Sequence, residues 1–251
     1  KVDFVDIDND DCNLSIEKLK LKLEKIKLKN KLPKIIVPVH LAGNPVNLKK
    51  LKELSKKFKF KILEDASHAS GSKFNKSEIG SCKYSDITVF SFHPVKTFTT
   101  GEGGAILTSS KKIYEKLILL RNQGITRDFN FNKSNKQSHY DVIELGFNYR
   151  LTDIQCALGI SQLKVLNNFL KTRNKINNFY KKNLSNKINF QEVKPSNFST
   201  YHLFIIRVPA KLRDKIVDKL YKNNIRTNLH YIPIYKHKIY RKYNYKKKDF
   251  P

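Results

Sequence analysis

No stretch of this chain is apolar for long enough to cross a bilayer, because Lys, Asp or Asn interrupts every hydrophobic run, and nothing in it has the make-up of a secretory signal. These absences predict a soluble, cytoplasmic protein. Cysteine is scarce: Cys12, Cys82 and Cys156 are an odd number, widely scattered, with no CxxC spacing. That leaves no metal or redox pair and reads as reduced, structural thiols. Acidic residues are few as well, 22 against 50 Lys and Arg, for a formal charge of +28. Such an excess ordinarily suggests nucleic acid or an anionic membrane. Here the lysines are spread over nearly the whole length, alternate with Asn and Ile, and form no stripe interleaved with aromatics. Solvated lysine-rich faces account for them, and neither nucleic acid nor a membrane is expected as a partner. The cluster Lys246-Lys247-Lys248 reads as a solvated tail that could also help attract an anionic substrate.

What is present suffices for a core. With 251 residues and 39% apolar side chains, the chain can form a large α/β domain with a smaller one attached. Val2–Asp8 reads as the end of a strand without a start, and Asp249-Phe250-Pro251 stops without a closing element, so a piece of a longer protein is expected. Ile35–Val39 is an apolar run of strand length, and Leu48, Leu51, Leu54 and Phe58 mark one helical face. Phe60–Leu63 reads as a strand ending at Glu64-Asp65, followed by strands over 86–91 and 103–108 and a helix near 110–122 carrying Ile113, Leu117 and Leu120. Strands alternating with helices predict a largely parallel sheet whose ligands lie beyond the carboxyl ends of its strands. The polar segment 125–141 reads as a long exposed loop. A helix starts near Thr152-Asp153, carries Ile154, Leu158, Leu163 and Leu166 as an apolar stripe, and runs towards Leu184. Beyond it, strand signals at Leu203–Val208 and Ile225–His230 flank a helix around 210–223, a small α/β domain. The expected division is a large domain over 1–155, a linking helix over 156–184 and a small, incomplete domain over 185–251.

One lysine stands out among fifty cationic residues. Lys96 lies in Ser91-Phe92-His93-Pro94-Val95-Lys96-Thr97-Phe98-Thr99-Thr100, between the strand signal at Ile87–Phe90 and the glycine cluster Gly101, Gly103 and Gly104. That places it at a strand end among hydroxyls, where an amine can bond an aldehyde cofactor. Pyridoxal phosphate needs such a lysine, a carboxylate at its pyridine nitrogen and donors for its phosphate. Lys96, Asp65 and Ser91 supply these in order. The glycines serve conformational freedom and close approach rather than contact.

Five runs then occur in a familiar order: Glu64-Asp65-Ala66-Ser67-His68-Ala69, the Ser91–Lys96 run, Thr100–Gly104, Arg121-Asn122-Gln123-Gly124 and Gly146-Phe147-Asn148-Tyr149-Arg150-Leu151. Together they resemble the nucleotide-sugar aminotransferases of the DegT/StrS family, over essentially the entire chain. The resemblance implies a fold-type I pyridoxal phosphate transferase. In that frame Lys96 would bond the cofactor and act as catalytic base, Asp65 would face the pyridinium nitrogen, and His68 would lie near the ring or its phenolic oxygen. Ser91 would bind the phosphate, and Asn148 would reach the partner's cofactor phosphate across a homodimer with shared active sites. Tyr149, Arg150, His230 and Tyr231 would border the nucleotide-sugar substrate, with L-glutamate as amino donor. Val39–Gly43 and His230–His237 are most similar to the branch that makes a pseudaminic acid precursor, which implies a UDP-linked 4-keto-6-deoxy sugar. The family's phosphate cup and ring-stacking aromatic are expected upstream of Lys1, so the fragment alone is expected to bind cofactor poorly. Ser67 stands where Ala is common, with no evident consequence. A dehydratase of the same fold carries His at the covalent position, against which Lys96 argues. A cofactor-binding regulatory relative and a basic nucleic-acid module are the remaining alternatives.

Overall fold

The computed structural model describes residues 2–28, 31–126, 140–184, 188–246 and 249–250. Ser15 opens α1 (Ile16–Lys27): its hydroxyl accepts the Lys18 N–H at 3.3 Å, and Leu19 and Leu23, one turn apart, are buried. After β1 (Ile35–Ile36), Asn47 caps α2 (Leu48–Phe58), whose Leu48, Leu51, Leu54 and Phe58 are all buried at the expected spacing. Lys59, left-handed at φ 57°, ends that helix and turns the chain into β2 (Lys61–Asp65). A short hairpin, β3 (Lys73–Phe74) with β4 (Ser77–Glu78), precedes β5 (Ile87–Ser91), β6 (Gly104–Leu107) and α3 (Lys111–Arg121).

The central sheet has the order β1-β2-β5-β6. β1, β2 and β5 are parallel, and β6 returns antiparallel to β5. A mostly parallel α/β sheet was expected and is present. α1 and α2 cover it through Leu19, Leu23, Leu51, Leu54, Phe58, Phe60 and Ile62, one continuous apolar cluster. Leu48, Ala66, Ala69, Phe74 and Ile79 form a second cluster, under the chain that leaves β2. The sheet edge bearing Asp65 is therefore backed by packed side chains rather than by loops.

Thr152 opens the long α4 (Asp153–Asn183) with a reciprocal capping box: its hydroxyl accepts the Gln155 N–H, while the Gln155 side chain accepts the Thr152 N–H. β9 (Asn189–Phe190) then pairs antiparallel with β10 (Ile206–Arg207), and α5 (Ala210–Lys222) follows. Among the described residues no helix is long and apolar enough to cross a membrane.

Several elements differ from the expectation. Val2–Asp8 forms no strand, only an isolated bridge from Ile7 to Leu14. The Ile35–Val39 strand shortens to two residues because Pro38 has no N–H to offer; pairing resumes as a single bridge from Val39 to Asp65. Ile225–His230 is not a strand, since β10 takes β9 as its partner, and two 3-10 turns, Ile234–Lys236 and Lys238–Tyr243, follow instead. The ends of the 125–141 loop pair as β7 (Ile125–Thr126) and β8 (Asp141–Val142); residues 127–139 of that loop, and Lys247 and Lys248 of the basic cluster, lie outside the described residues. The α4 stripe is largely open, with Ile154 84% and Leu163 52% exposed, and Leu170 is the buried leucine of that helix.

Candidate functional site

β2 and β5 run side by side with Asp65 opposite Val89, so Asp65 and Ser91 both lie at the carboxyl edge of the parallel strands. The chain leaves β5 into the lysine-bearing loop, which is closed by its own hydroxyls. Thr99 Oγ1 donates to the Phe92 carbonyl at 2.8 Å, the Gly101 N–H donates to Thr99 Oγ1 at 2.9 Å, and Thr100 Oγ1 donates to the Glu102 carbonyl at 2.7 Å. Gly101 has φ 80°, which permits this tight return, and a β-carbon on Gly104 would come within 2.7 Å of the Phe90 carbonyl oxygen. Lys96 sits at the turn of this loop, its N–H donating to the His93 carbonyl at 2.9 Å.

Lys96 is partly buried, and this burial depresses its pKa below the ordinary lysine range, while the Asp65 carboxylate opposes the shift. The two charges therefore share one site. Asp65 is aimed by Ser67, whose hydroxyl and N–H donate to Asp65 Oδ1 at 2.6 and 3.0 Å. The consequence of Ser67, unread in the sequence, is to orient that carboxylate, with Oδ2 taking no hydrogen bond among the described residues. His68 is buried, and its Nδ1 accepts the Ala42 N–H at 3.3 Å, which assigns its proton to Nε2. Burial first, then the Lys96 charge, pushes its pKa down to about 4, with Asp65 opposing and His230 adding to the shift. At neutral pH His68 is an uncharged donor.

His68 thus lies within the fields of Lys96, Asp65 and His230, and Lys96 within that of Asp65. Ser91 stands at the shared strand edge, its hydroxyl accepting the His93 N–H at 3.4 Å. Asn148, Tyr149 and Arg150 are exposed, and their contacts lie with the end of α3. Asn148 bridges Asn122, the Arg150 guanidinium donates to Asn122 Oδ1 at 2.6 Å, and Tyr149 stacks on Phe147 at 4.8 Å. Tyr231 is 60% exposed, edge-on to His230 at 4.7 Å.

Three features of the site were not read in the sequence. His202 is buried against His68, with ring centroids 4.5 Å apart, and Thr200 Oγ1 donates to the His68 carbonyl at 2.7 Å. Thr97, next to Lys96, is buried, and its Oγ1 has no partner among the described residues. Behind Asp65, Glu64 and His40 form a fully buried pair, His40 Nε2 to Glu64 Oε2, at 2.8 Å. Thr97 could have been suspected from its place in the run; 200 and 202 carry no local mark of lying against residue 68.

The sequence profile of the DegT/DnrJ/EryC1/StrS aminotransferase family matches residues 1–251. The UDP-4-amino-4,6-dideoxy-N-acetyl-beta-L-altrosamine transaminase of Campylobacter jejuni (serotype O:2) is 36% identical over 247 residues, covering 96% of this chain and 62% of that protein. The GDP-perosamine synthase of Escherichia coli O157:H7 is 32% identical over 241 residues, covering 94% of this chain and 62% of the synthase. Spr1654 of Streptococcus pneumoniae, solved in its PLP form, superposes with a TM-score of 0.83 at 27% identity, over 98% of this chain and 65% of that one. The chain spans a little under two thirds of the length of these relatives.

The residues present suit pyridoxal phosphate. A partly buried amine with a depressed pKa can bond an aldehyde, and a carboxylate with one uncommitted oxygen can hold a protonated ring nitrogen. The buried, unpartnered Thr97 hydroxyl is a polar atom left over for a ligand. By profile, by relatives and by fold, the chain belongs to the DegT/DnrJ/EryC1/StrS aminotransferase family.

Proposed function

We propose that this chain carries the catalytic lysine of a pyridoxal phosphate-dependent aminotransferase that converts a keto group of a nucleotide-linked sugar to an amine. The observation that carries the reading is a partly buried lysine in the loop that leaves β5, beside the strand edge that bears Asp65 and Ser91 and within reach of the Asp65 charge. Pyridoxal phosphate, when bound, supplies the electron sink for a carbanion next to the transferred nitrogen. Lys96 would hold it and, with its amine free, would remove and return the proton at the carbon that bears the transferred nitrogen. The depressed pKa serves that duty, because more of the amine is unprotonated near neutrality. Asp65 keeps a proton on the ring nitrogen, the charge of each offsetting the other's desolvation. Ser91 would bind the phosphate, and His68 would donate from Nε2 near the ring or its phenolic oxygen. In a homodimer Asn148 reaches the other subunit's phosphate, which agrees with its exposed position.

The acceptor we favour is a UDP-linked 4-keto-6-deoxy sugar aminated at C4, on the way to pseudaminic acid or a related surface glycan, with L-glutamate as donor. Its support is the Campylobacter jejuni relative and the runs Val39–Gly43 and His230–His237. The 32% identity to a GDP-perosamine synthase favours a second reading, a GDP-linked acceptor. Tyr149, Arg150, His230 and Tyr231 border the sugar nucleotide in either case. Residues 1–155 then carry the cofactor, 156–184 link, and 185–251 close the substrate cleft. The test is amination of UDP- and GDP-linked 4-keto-6-deoxy sugars by the full-length protein with glutamate, followed by mass spectrometry. A 4-amino sugar and 2-oxoglutarate in equal amounts are expected; no amino sugar from any acceptor would overturn the reading.

A further inference from the structure

His202 has no part in the site as read from sequence, yet it is buried, and its Nδ1 has no partner among the described residues. The surrounding bonds form a closed circuit. The Ala42 N–H donates to His68 Nδ1 at 3.3 Å, the His202 N–H donates to the Ala42 carbonyl at 2.9 Å, and the two imidazole rings meet at 4.5 Å. Ala42 serves both neighbours because its backbone is left-handed, at φ 58°. Thr200 fastens the same segment from below through the His68 carbonyl, and Arg173 holds its far side by donating to the His202 carbonyl at 3.2 Å.

We propose that His202 is a positioning residue for the reaction at Lys96: its ring packs on His68 and, with Ala42 and Thr200, fixes His68 as a neutral imidazole that donates from Nε2. The proposal rests on the aminotransferase reading above. His202 suits the task because it stays uncharged itself: burial first, then His68, Lys96, Arg173 and His230, push its pKa down to about 3. The groups facing His68 are Lys96, Asp65 and His230. Of these only the Asp65 carboxylate favours a charged ring, and the burial of His68, to which the His202 ring 4.5 Å away contributes, outweighs it. A phenylalanine there would keep the packing and drop the orphaned nitrogen.

The test is NMR titration of isotopically labelled histidines in the full-length protein without cofactor, for wild type, His202→Phe and His202→Ala, with pH profiles of kcat and KM for the loaded enzyme. In wild type His68 should stay neutral down to about pH 4. His202→Ala admits water and should raise the His68 midpoint towards its ordinary 6.5 by about one unit or more, moving the acid limb of kcat/KM with it. His202→Phe should leave both near wild type. An unmoved His68 midpoint in His202→Ala overturns the proposal, whether or not activity falls. If the alanine variant does not fold, His202→Ser, which also opens the ring's space to water but keeps a polar group there, should shift the midpoint in the same direction; an unmoved midpoint there is equally fatal. Because this titration is read without cofactor, its failure is separable from a failure of Lys96 to bond pyridoxal phosphate.

Discussion

Glu64 and His40 invite a perturbation whose size follows from their surroundings. They are 2% and 0% exposed, 2.8 Å apart, directly behind the Asp65 strand end. The Val46 N–H donates to His40 Nδ1 at 3.1 Å, which needs a lone pair there and assigns the ring proton to Nε2, pointing at Glu64. Thr88 donates to the other carboxylate oxygen at 3.0 Å. Burial acts to raise the Glu64 pKa, but the His40 hydrogen bond, with those of Ser85 and Thr88, overcomes it and holds the carboxyl below its usual range. His40→Phe keeps the ring volume and removes the donor, so an ionised carboxylate keeps only Ser85 and Thr88 and the Val46 N–H loses its acceptor. Breaking a buried pair in this way costs about 3–5 kcal/mol. Glu64→Gln keeps an acceptor for His40 and turns its amide towards Thr88, at a cost of about 1 kcal/mol. In the double variant no charge remains to be stranded, so it should recover about 2 kcal/mol relative to His40→Phe. Urea unfolding at pH 7, followed by circular dichroism, reads all four proteins. The deficit of His40→Phe against wild type should also shrink at pH 5, where protonating Glu64 becomes easier. If His40→Phe costs under 1 kcal/mol, or Glu64→Gln costs as much as His40→Phe, the carboxylate is not held as described.

Gly43 lies at φ 87°, and a β-carbon there would overlap Thr200 Oγ1 and approach the His68 carbonyl within 2.8 Å, so Gly43→Ala should cost about 2 kcal/mol or more and weaken cofactor binding. Fluorescence-monitored unfolding beside a cofactor titration reads both effects; unchanged values would show that the Thr200 segment yields freely. His68 and His202 have native pKa values of about 4 and 3, below the ordinary 6.5. Between pH 6.5 and about 4 the unfolded chain therefore binds protons that the native chain refuses, and stability should fall as pH is lowered through that window. A flat urea midpoint from pH 7 to pH 5 would contradict two buried neutral imidazoles. Thr152→Ala removes the capping box of α4 and should lower stability by about 1 kcal/mol, with Thr152→Ser restoring most of it; equal stability of the three proteins would deny the cap any weight.

The parts of the fold that sequence made legible are those whose signal is local. The three- and four-residue spacing of Leu48, Leu51, Leu54 and Phe58 is a property of one helix facing one core. Thr152 announces α4 because a capping residue acts within its own first turn. α1 carried the same kind of signal, Ser15 before Leu19 and Leu23, and escaped notice amid its lysines. Strand lengths were misjudged where pairing decides: Ile35–Val39 is apolar throughout, yet Pro38 withholds a donor, and Ile225–His230 has no neighbour to pair with among the described residues. The placing of Asp65, Ser91 and Lys96 at one sheet edge was legible because each ends a strand or follows one. His202 was not, because its place against His68 is set by its own bond to Ala42 and by that of Thr200 to His68, each joining residues more than a hundred apart in sequence. Ser67 was visible as a departure from the family, and its meaning appeared only with the bond to Asp65.

The central claim is that Lys96 bonds the cofactor. Full-length protein incubated with pyridoxal phosphate, reduced with borohydride and digested should give a single phosphopyridoxyl-modified peptide spanning Lys96, with loss of the visible absorbance band. Lys96→Ala should show neither the band nor the modified peptide. Modification spread over the many exposed lysines, or an unchanged band in Lys96→Ala, would contradict the account.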